Sequence, residues 1–513
     1  METVVEKSIS ELQAENAKQQ QTIERLNKII RLLTEKVDYL IRHRFAPKSE
    51  QFPLDQQSLF ELEAPDNVPD DPPPSDPPSR KRKKGGRRKP PKHLPRERVE
   101  HDLSDEDKRC QCGACRTRIS EQVSEQYDVL PPTFRVLEHV RFVYACPKCD
   151  AAPKTAKQFP PAPLPRTQAS PGILAWIGAG KFVDGLPLNR IATMAERRFG
   201  VPFTTTTLAD WMIKAADRLF APILLALEGE LRQSDYLHLD ETTLQVLQEM
   251  DREARQKSWI WLRVTGAGRP IVLMHYSHSR AASVVTPLLE GFSGYIQTDG
   301  YAGYNASAAH PDITQLGCWA HARRKFDAAM KNSDPPAAHV AWQGLVLIRE
   351  LYTIDNRAKN KPPDQRHLHR QQQVLPHLDK IQTWVSENSA FGLTHGGLLT
   401  TAFTYLQNQW SKLVRFVEDP RLRIDNNLAE RHVRPIAVGR RTWLFCRSPA
   451  GAKAATAWYS IVETAKANGI EPYWYLRYLF EQVPLCLQEE RSVDHLLPWN
   501  LSPEQIMPEW ARG

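Results

Sequence analysis

The chain has 513 residues, of which 68 are Lys or Arg and 60 are Asp or Glu, giving a formal net charge of +8. This excess of basic residues weakly favours a polyanionic binding partner. The length predicts roughly three or four domains, and the apolar fraction of 41% can fill at least one large core. The absence of a long apolar run argues against a membrane span, and the polar N-terminus argues against a secretory signal. Eight cysteines then favour thiols or metal ligands in a reducing, cytoplasmic setting.

Residues 1–45 carry a heptad pattern that predicts a coiled-coil zipper. Ile or Val at most a positions and Leu at most d positions favour a parallel two-stranded coil, in which a buried Asn16 would fix the register. The alternative is a single amphipathic helix that packs on its own domain. Position a falls on Ile9, Asn16, Ile23, Ile30 and Val37, and position d on Val5, Leu12, Gln19, Leu26, Leu33 and Leu40.

Residues 46–100 are predicted to form a proline-rich linker followed by a basic arm. The linker includes DDPPPSDPPS, which cannot bury a core and should be stiff and extended. The basic run RKRKKGGRRKPPKHLPRERV follows it. Such a run is commonly a solvated tail, but its place before a candidate metal module favours contact with phosphates. The DNA-binding candidates in this arm are Arg87, Arg88 and Lys89.

Two CxxC pairs in residues 101–160 predict a zinc-binding module. Cys112, Cys115, Cys146 and Cys149 would supply the four soft ligands that one structural, tetrahedral Zn²⁺ requires. The bound ion would stabilise a small domain with little core of its own. Cys110 leaves the ligand set open, because it could replace one ligand of the first pair. Buried cysteines without metal are the minority alternative.

Residues 165–225 are predicted to form a helical, DNA-binding segment. Pro171 and Pro187 suit the first turns of two helices, and Gly200 would end the second. The threonines at 204–207 can cap a third helix. The tight turn between the last two helices allows a helix-turn-helix, whose second helix enters a major groove. An ordinary helical bundle explains the pattern equally well.

Residues 230–450 show the pattern of an α/β domain. YLHLDETTLQV, KSWIWLRVT and PIVLMHYS predict three strands, and RAASVVTPLLEGF predicts a helix. GYIQTDGYAGY and TQLGCWAHARRKF predict a fourth strand and a fifth strand that leads into a helix. This succession matches the ribonuclease-H-like order, in which the first and fourth strands are neighbours. A large helical insertion is expected at about 331–417, and a C-terminal helical tail at 451–513.

Three acids are the candidate catalytic residues of this domain. Asp240 lies in the first strand and Asp299 at the end of the fourth, so their carboxylates should converge. Glu430 lies on a later helix that is expected to be capped by Asp425 and to end before Pro435. Carboxylates suit two Mg²⁺ or Mn²⁺ ions, which can activate an attacking oxygen and stabilise a leaving one. Taken singly, each acid also has an ordinary explanation as a strand end, a turn cap or a salt-bridge partner.

The helix of Glu430 provides further candidates. Asn426, Asn427 and Arg434 share a face with Glu430, and Asn427 and Arg434 are predicted to support it. Its basic residues should face phosphates of bound DNA. These phosphate-binding candidates are Arg431, Arg434, Arg440 and Arg441.

In their order along the chain, these stretches closely resemble the insertion-sequence-66 transposase family. The matches cover nearly the whole chain after the linker, and several are long. The resemblance implies a bacterial Asp-Asp-Glu transposase of several domains: a zipper, a zinc-binding segment, a ribonuclease-H-like catalytic domain with a helical insertion, and a C-terminal tail. The matching stretches are RKPPKHLPRERVEHDL, VSEQYDVLPPTFRVLEHVRFVYACPKC, TTTTLADW, HLDET, IQTDGYAGY, CWAHARRKF, IDNNLAERHVRPIAVGRRTWLF and YSIVETAKANGIEP.

By the same resemblance, Asp240, Asp299 and Glu430 form the catalytic triad. The protein would bind the terminal inverted repeats of its element, hydrolyse a phosphodiester and join the freed 3′-hydroxyl to target DNA. It would act near the nucleoid as a homodimer or larger oligomer, with companion proteins of the same element as candidate partners. Cys318 and His321 match a Cys-x-x-His motif beside the second acid, for which a structural or substrate-orienting role is expected. A core role for Cys318 is at least as compatible with the sequence.

Two stretches depart from the family pattern. CQCGAC has an extra cysteine and altered spacing, and FAPKSE after the zipper is looser than usual. The alternative function is a non-catalytic, domesticated DNA-binding protein, which the presence of all three acids disfavours. A nuclease with the same sheet but no strand transfer is a further alternative.

Overall fold

The computed structural model describes residues 160–507 without a gap, together with 133–140, 142–144, 154–155 and parts of 16–34. The chain divides into two units. The first comprises Met1–Ala64 and Lys157–Leu501, and the second comprises Pro65–Ala156 and Ser502–Gly513. Outside the described residues lie the predicted linker, most of the predicted zipper and the candidate residues Arg87, Arg88, Lys89, Cys110, Cys112, Cys115, Cys146 and Cys149.

The elements are numbered here in chain order. Before the main sheet come β1 (Val143–Tyr144), β2 (Lys154–Thr155), α1 (Pro171–Phe182), α2 (Leu188–Phe199), α3 (Thr205–Ala215) and α4 (Ala221–Arg232). The main sheet and its connections are β3 (Tyr236–Gln245), β4 (Lys257–Thr265), β5 (Val272–Ser277), α5 (Ala282–Leu288), β6 (Gly294–Gln297), α6 (Asn305–Ala308), β7 (Ile313–Leu316) and α7 (Trp319–Asn332). After it come α8 (Pro335–Asn356), α9 (Pro363–His369), α10 (Leu375–Thr394), α11 (Gly397–Leu413), α12 (Asn427–Trp443), α13 (Pro449–Ala467), α14 (Pro472–Gln488) and α15 (Pro503–Ile506).

The three helices predicted before the sheet are confirmed. Ser170 caps α1 by accepting a hydrogen bond from the Ile173 N–H, and Pro171 occupies the first turn. Gly200 ends α2 in the left-handed region, with φ 68°, where a residue without Cβ is unstrained. Thr204 caps α3. A π-helical turn then leads into α4, which extends the helical segment to Arg232.

A cluster of aromatic rings packs these helices against α13 and α14. Trp458 of α13 is fully buried, stacks on Phe182 at 5.2 Å and meets Phe220 edge-on at 4.7 Å. Its indole Nε1 donates to the Met212 carbonyl at 2.9 Å, so its one polar group is satisfied. The segments on either side of the sheet in the sequence therefore share one core. The helix-turn-helix interpretation of α2 and α3 stays a prediction.

The main sheet has the strand order β5-β4-β3-β6-β7. Antiparallel pairing joins β3 to β4 and β4 to β5, whereas β6 runs parallel to β3 and β7 runs parallel to β6. The five predicted strands and the helix between the third and fourth are confirmed. The prediction that the first and fourth strands are neighbours is also confirmed, because β3 pairs with β6.

The α13 helix covers the edge of the sheet at β5. The backbone N–H of Met274 donates to Ser460 Oγ at 2.8 Å, and that of Val272 donates to Thr464 Oγ1 at 3.0 Å. The Thr464 hydroxyl in turn donates to the Val272 carbonyl. Edge strands left open invite pairing with other chains, so these hydroxyls satisfy groups that would otherwise be exposed.

The stretch 331–417 is helical, as predicted, and buries a core of its own against α7. Its most buried cation is Arg370, which pairs with Asp355 and donates to the carbonyls of Phe416, Asp419 and Leu422. Backbone carbonyls and a carboxylate together satisfy a guanidinium that is removed from water. Arg370 therefore fixes the loop that leads into α12. Among the described residues, no helix is both long enough and apolar enough to cross a membrane.

The α12 helix differs from the prediction at both ends. Asn426, rather than Asp425, occupies the N-cap position, and Asp425 instead accepts from the Asn427 N–H at 3.1 Å. The helix does not end before Pro435 but continues to Trp443. Proline removes one helical hydrogen bond, but burial of Ile436 and Gly439 beyond it is gained only when the helix continues. Tertiary packing thus overrides the local stop signal.

The described residues of the predicted zipper are helical, and they are 16, 19–27, 29, 30 and 34. Among them, Ile23, Leu26 and Ile30 are exposed and occupy predicted a and d positions. In the second unit, β1 pairs antiparallel with β2, so that Val143 lies opposite Thr155.

Candidate active site

The parallel pairing of β3 with β6 brings Asp240, within β3, beside Asp299, which follows the end of β6. The last paired residues of β3 and β6 are His238 and Gln297. Each aspartate lies two residues beyond its paired residue, Asp240 still within β3 and Asp299 past the end of β6. Neighbouring strands are about 4.8 Å apart. The two carboxylates therefore belong to one site near the carboxyl end of β6.

Asp240 lies in a cluster of negative charge. Burial, followed by the charges of Glu241, Asp299 and Glu430, raises the pKa of Asp240 well above its ordinary value. Its Oδ1 accepts from the Glu241 N–H at 2.8 Å. Asp299 is oriented in the same way, since its Oδ1 accepts from the Tyr301 N–H at 2.8 Å. Asp299 and Glu430 thus both act electrostatically on Asp240, as a shared site requires.

Asn426 ties the start of α12 to the strand that carries Asp240. Its side chain is fully buried, and its Nδ2 donates to the Leu239 carbonyl at 2.8 Å. Its Oδ1 lies 2.9 Å from Nδ1 of His238, and its backbone N–H donates to Cys318 Sγ at 3.1 Å. Burial lowers the pKa of His238 to about 3, so the ring is neutral and donates this hydrogen bond. Glu430, one turn further along α12, is therefore held beside β3.

The carboxylate of Glu430 makes its direct contacts with α7. Arg324 Nη2 lies 2.6 and 2.7 Å from its two oxygens, and His321 Nδ1 lies 3.6 Å from one of them. The Arg324 Nη1 lies 3.1 Å from His321 Nε2. A guanidinium held against both oxygens of a carboxylate fixes its orientation and neutralises it. Arg324 thus orients the predicted third acid.

Cys318, His321 and Glu430 place possible ligand atoms within 4.8 Å of one another, a grouping that could hold a metal ion. Burial raises the pKa of the Cys318 thiol far above its ordinary value, which favours the thiol over the thiolate. The sulfur already accepts the Asn426 N–H. This contact favours a structural role for Cys318, which was one of the two roles that the sequence left open.

A fourth acid, Glu241, was not among the sequence candidates. Its side chain is almost fully buried, and it accepts from Arg280 Nε at 2.9 Å and from the Tyr304 hydroxyl. The guanidinium of Arg280 lies between two rings, 4.7 Å from Trp259 and 3.9 Å from Tyr301. Adjacency to Asp240 could have signalled Glu241. No sequence pattern marked Arg280 or Arg324, because their roles depend on contacts between distant segments, and the pattern that placed Asn426 on the face of Glu430 did not predict its contacts with β3.

The remaining candidates of α12 divide into buried and exposed groups. Asn427 donates from Nδ2 to Asp425 at 3.0 Å, so its amide supports the start of the helix. Arg440 is only half-exposed, because it donates to the backbone carbonyl and the hydroxyl of Thr243. The arginines that lie on the exposed surface of the helix are Arg431, Arg434 and Arg441.

Comparison with known families places these residues in context. Residues 166–454, more than half of the chain, match the family model described as Transposase IS66 family. The chain belongs to this family. Models for other parts of IS66 transposases match in chain order: Transposase C of IS166 homeodomain at 32–99, zinc-finger binding domain of transposase IS66 at 107–150, and IS66 C-terminal element at 460–499. The predicted family is confirmed.

Two similar proteins come from Sinorhizobium fredii and carry the names uncharacterized protein y4hP and uncharacterized protein y4qI. Each is 28% identical to this chain. The first alignment covers 82% of this chain and 76% of y4hP, and the second covers 81% of this chain and 79% of y4qI. The IS66 match contains all three predicted acids, and the zinc-finger match contains all four predicted zinc ligands. The roles of these residues remain predictions.

Proposed function

We propose that this protein is a DNA transposase of a bacterial insertion sequence, with Asp240, Asp299 and Glu430 as its catalytic acids. It would bind the ends of its element, hydrolyse a phosphodiester and join the freed 3′-hydroxyl to target DNA. The observation that carries the proposal is the placement of Asp240, within β3, beside Asp299, two residues past the end of the adjacent parallel strand β6, with both Asp299 and Glu430 acting electrostatically on Asp240. Membership of the IS66 family supports the same reaction class.

We further propose a ribonuclease-H-like catalytic domain at 230–450. Three antiparallel strands, followed by two strands parallel to the first, support this assignment. The helical insertion at about 331–417 separates the second acid from the third in sequence. Around this domain we retain the zipper at 1–45, the basic arm within 46–100, the zinc module at 101–160, the helical segment at 165–225 and the tail at 451–513.

The acids fit a pair of hard divalent cations. They present carboxylate oxygens, the ligand type that Mg²⁺ and Mn²⁺ prefer. Burial and, after it, the charges of Glu241, Asp299 and Glu430 raise the pKa of Asp240, and bound cations would offset both effects. Asp240, Asp299 and Glu430 would hold the ions, which when bound supply activation of the attacking oxygen and stabilisation of the leaving oxygen. For the zinc module, the proposed ligands of one structural Zn²⁺ remain Cys112, Cys115, Cys146 and Cys149.

The protein's own residues position the reacting groups. The Tyr301 N–H orients Asp299, and Asn426 holds the helix of Glu430 against β3. Arg324 directs the Glu430 carboxylate. The exposed arginines of α12 would bind phosphates of a duplex that lies along this helix and bring one phosphodiester to the acids.

The test compares Asp299→Asn with wild type in strand cleavage. Purified full-length protein is incubated with a duplex that carries the element ends, a target plasmid and Mg²⁺. We expect Asp299→Asn to abolish cleavage while binding to the ends persists, because the substitution removes a charge and leaves the size unchanged. Asp312→Asn, at an exposed carboxylate on a loop, is the matched control and should cleave normally.

The products also separate the alternatives. Joined DNA from the wild type supports a transposase, whereas cut ends without joining support a nuclease. A shifted but uncut probe supports a non-catalytic DNA-binding protein. Full cleavage by Asp299→Asn would refute the assignment of the acids.

A further inference from the structure

The catalytic helix ends in an exposed apolar pair. Leu444 is 62% exposed and Phe445 is 43% exposed, immediately after the last residue of α12. Single exposed apolar residues are common on protein surfaces. Two adjacent large ones at the end of a helix that carries a candidate catalytic acid call for a more specific explanation.

The backbone holds this pair outward. Leu444 has φ 62° and ψ −54°, a conformation that residues with a Cβ rarely adopt. A positive φ favours glycine, which has no Cβ. On one side the Leu444 N–H bonds to the Arg440 carbonyl at 2.9 Å. On the other, the Cys446 N–H donates to the Gln245 carbonyl at 2.9 Å, joining the chain to the end of β3. Backbone hydrogen bonds to α12 on one side and to β3 on the other therefore fix the position of the pair.

The exposed face of α12 that leads to this pair is basic. Arg431, Arg434 and Arg441 are exposed. Arg434 lies three residues and Arg441 ten residues after Arg431, so all three fall within one quarter of the helix circumference. Val438 lies on the same face. At 1.5 Å per residue, this face extends about 15 Å, and Leu444 lies about 21 Å along the helix axis from Glu430. At 3.4 Å per base step, the latter distance corresponds to about six base pairs.

We propose that Leu444 and Phe445 form a wedge that inserts between base pairs of the duplex bound along the arginine face. The inference rests on the proposed function, because that function puts DNA beside Glu430. The binding partner of the wedge is duplex DNA rather than a protein, because the positive charge of Arg431, Arg434 and Arg441 beside it complements phosphates. Apolar side chains of this type unstack a base step and bend the duplex when they enter it. The bend would present one phosphodiester to the acids about six base pairs away.

The first measurement is DNA bending. A duplex of about 30 base pairs of arbitrary sequence carries a donor and an acceptor fluorophore at its ends. We expect full-length wild-type protein to raise the energy transfer, and the double variant Leu444→Ala, Phe445→Ala to abolish this rise at saturating protein. Leu225→Ala, which truncates a more exposed leucine on α4, is the matched control and should bend DNA like the wild type.

The second measurement is preference for a weakened stack. A mismatch lowers the cost of opening a base step. Wild type should therefore bind the same duplex with a central two-base mismatch about fivefold or more tightly than the matched duplex, and the double variant should bind both equally. Arg434→Gln and Arg441→Gln should instead weaken binding to both duplexes alike and reduce its dependence on salt.

The single variant Leu444→Gly tests the wedge even if the double variant misfolds. Glycine suits the left-handed backbone and removes the side chain, so the thermal midpoint should be kept or raised while bending is reduced. Bending and mismatch preference that persist in the double variant, or a wild type that binds without bending, would overturn the wedge. So would a double variant that loses self-association but bends DNA normally, since the pair would then be an interface between copies of this chain.

Failure of the wedge and failure of the proposed function remain distinguishable. Asp299→Asn should bend DNA without cutting it. A wild type that bends but never cuts supports the wedge and contradicts the transposase proposal. A wild type that cuts DNA without bending it supports the transposase proposal and contradicts the wedge.

Discussion

At the scale of single residues, the contact between Arg324 and Glu430 decides how the third acid is presented. Arg324 Nη2 reaches both carboxylate oxygens, at 2.6 and 2.7 Å. An exposed glutamate can rotate about several bonds, so a fixed orientation depends on such a partner. Arg324 is therefore a positioning residue rather than a ligand.

Removing this guanidinium should slow the reaction. We expect Arg324→Gln to reduce single-turnover strand cleavage roughly 10- to 100-fold, because small displacements of a catalytic group cost about this much. The Mg²⁺ concentration for half-maximal cleavage should also change. Arg324→Lys should recover part of the rate, since lysine restores the charge but not the paired geometry. Arg357→Gln, at an exposed arginine after α8, is the control, and wild-type behaviour of Arg324→Gln would disprove the positioning role.

The residues predicted from sequence and those found only in the structure differ in kind. Asp240, Asp299 and Glu430 stand in recognisable local contexts, at strand ends or on an amphipathic helix. Arg324 does not, because it acts on a partner more than one hundred residues away in the chain. The cap assigned to Asp425 was wrong for the same reason: Asn426 is held by the His238 ring and the Leu239 carbonyl, which no local rule contains.

At the scale of elements, the packing of α1 on α13 leaves no room for a side chain at Gly178. A Cβ built there would lie 2.1 Å from the Trp458 ring. That ring is confined by Phe182, Phe220 and Phe480. The glycine therefore sets how closely the two helices approach.

Two helical glycines give a matched test of this packing. Gly178→Ala should lower the free energy of unfolding by about 1–3 kcal/mol, because the confined ring has to move. Gly229→Ala in α4 meets no atom within 4 Å, so it should raise that free energy by about 0.5–1 kcal/mol through the better helix propensity of alanine. Urea denaturation measures both. Equal effects of the two substitutions would show that α1 does not pack on Trp458 in this way.

At the scale of the whole molecule, the N-terminal helix presents apolar residues without covering them. Ile30, at a predicted a position, is 59% exposed, and Ile23 and Leu26 are exposed beside it. Exposed residues in a heptad pattern are typical of a helix that pairs with another copy. We propose that this helix joins two chains and brings two active sites to the two ends of one element.

A single charge in the heptad seam should separate the chains. We expect Ile30→Asp to shift the full-length protein toward the monomer in light scattering coupled to size exclusion, because a buried carboxylate without a partner disfavours pairing. The thermal unfolding of the main unit should not change. Glu24→Gln, at a neighbouring position outside the seam, should keep the oligomer. An oligomer that survives Ile30→Asp would show that other surfaces hold the chains together.

The sequence by itself determined the type and order of the elements in the catalytic unit. Strand alternation, helix caps and glycine stops are local properties, so the five strands and the helices before them could be predicted from neighbouring residues. The order of elements also predicted that β3 and β6 would be neighbours, which brings two acids together. The tertiary structure alone decided that α12 continues past Pro435, that Arg324 forms an ion pair with Glu430 and that Leu444 is exposed at the end of the helix. These features depend on contacts between segments far apart in the chain, where packing energy outweighs local preference.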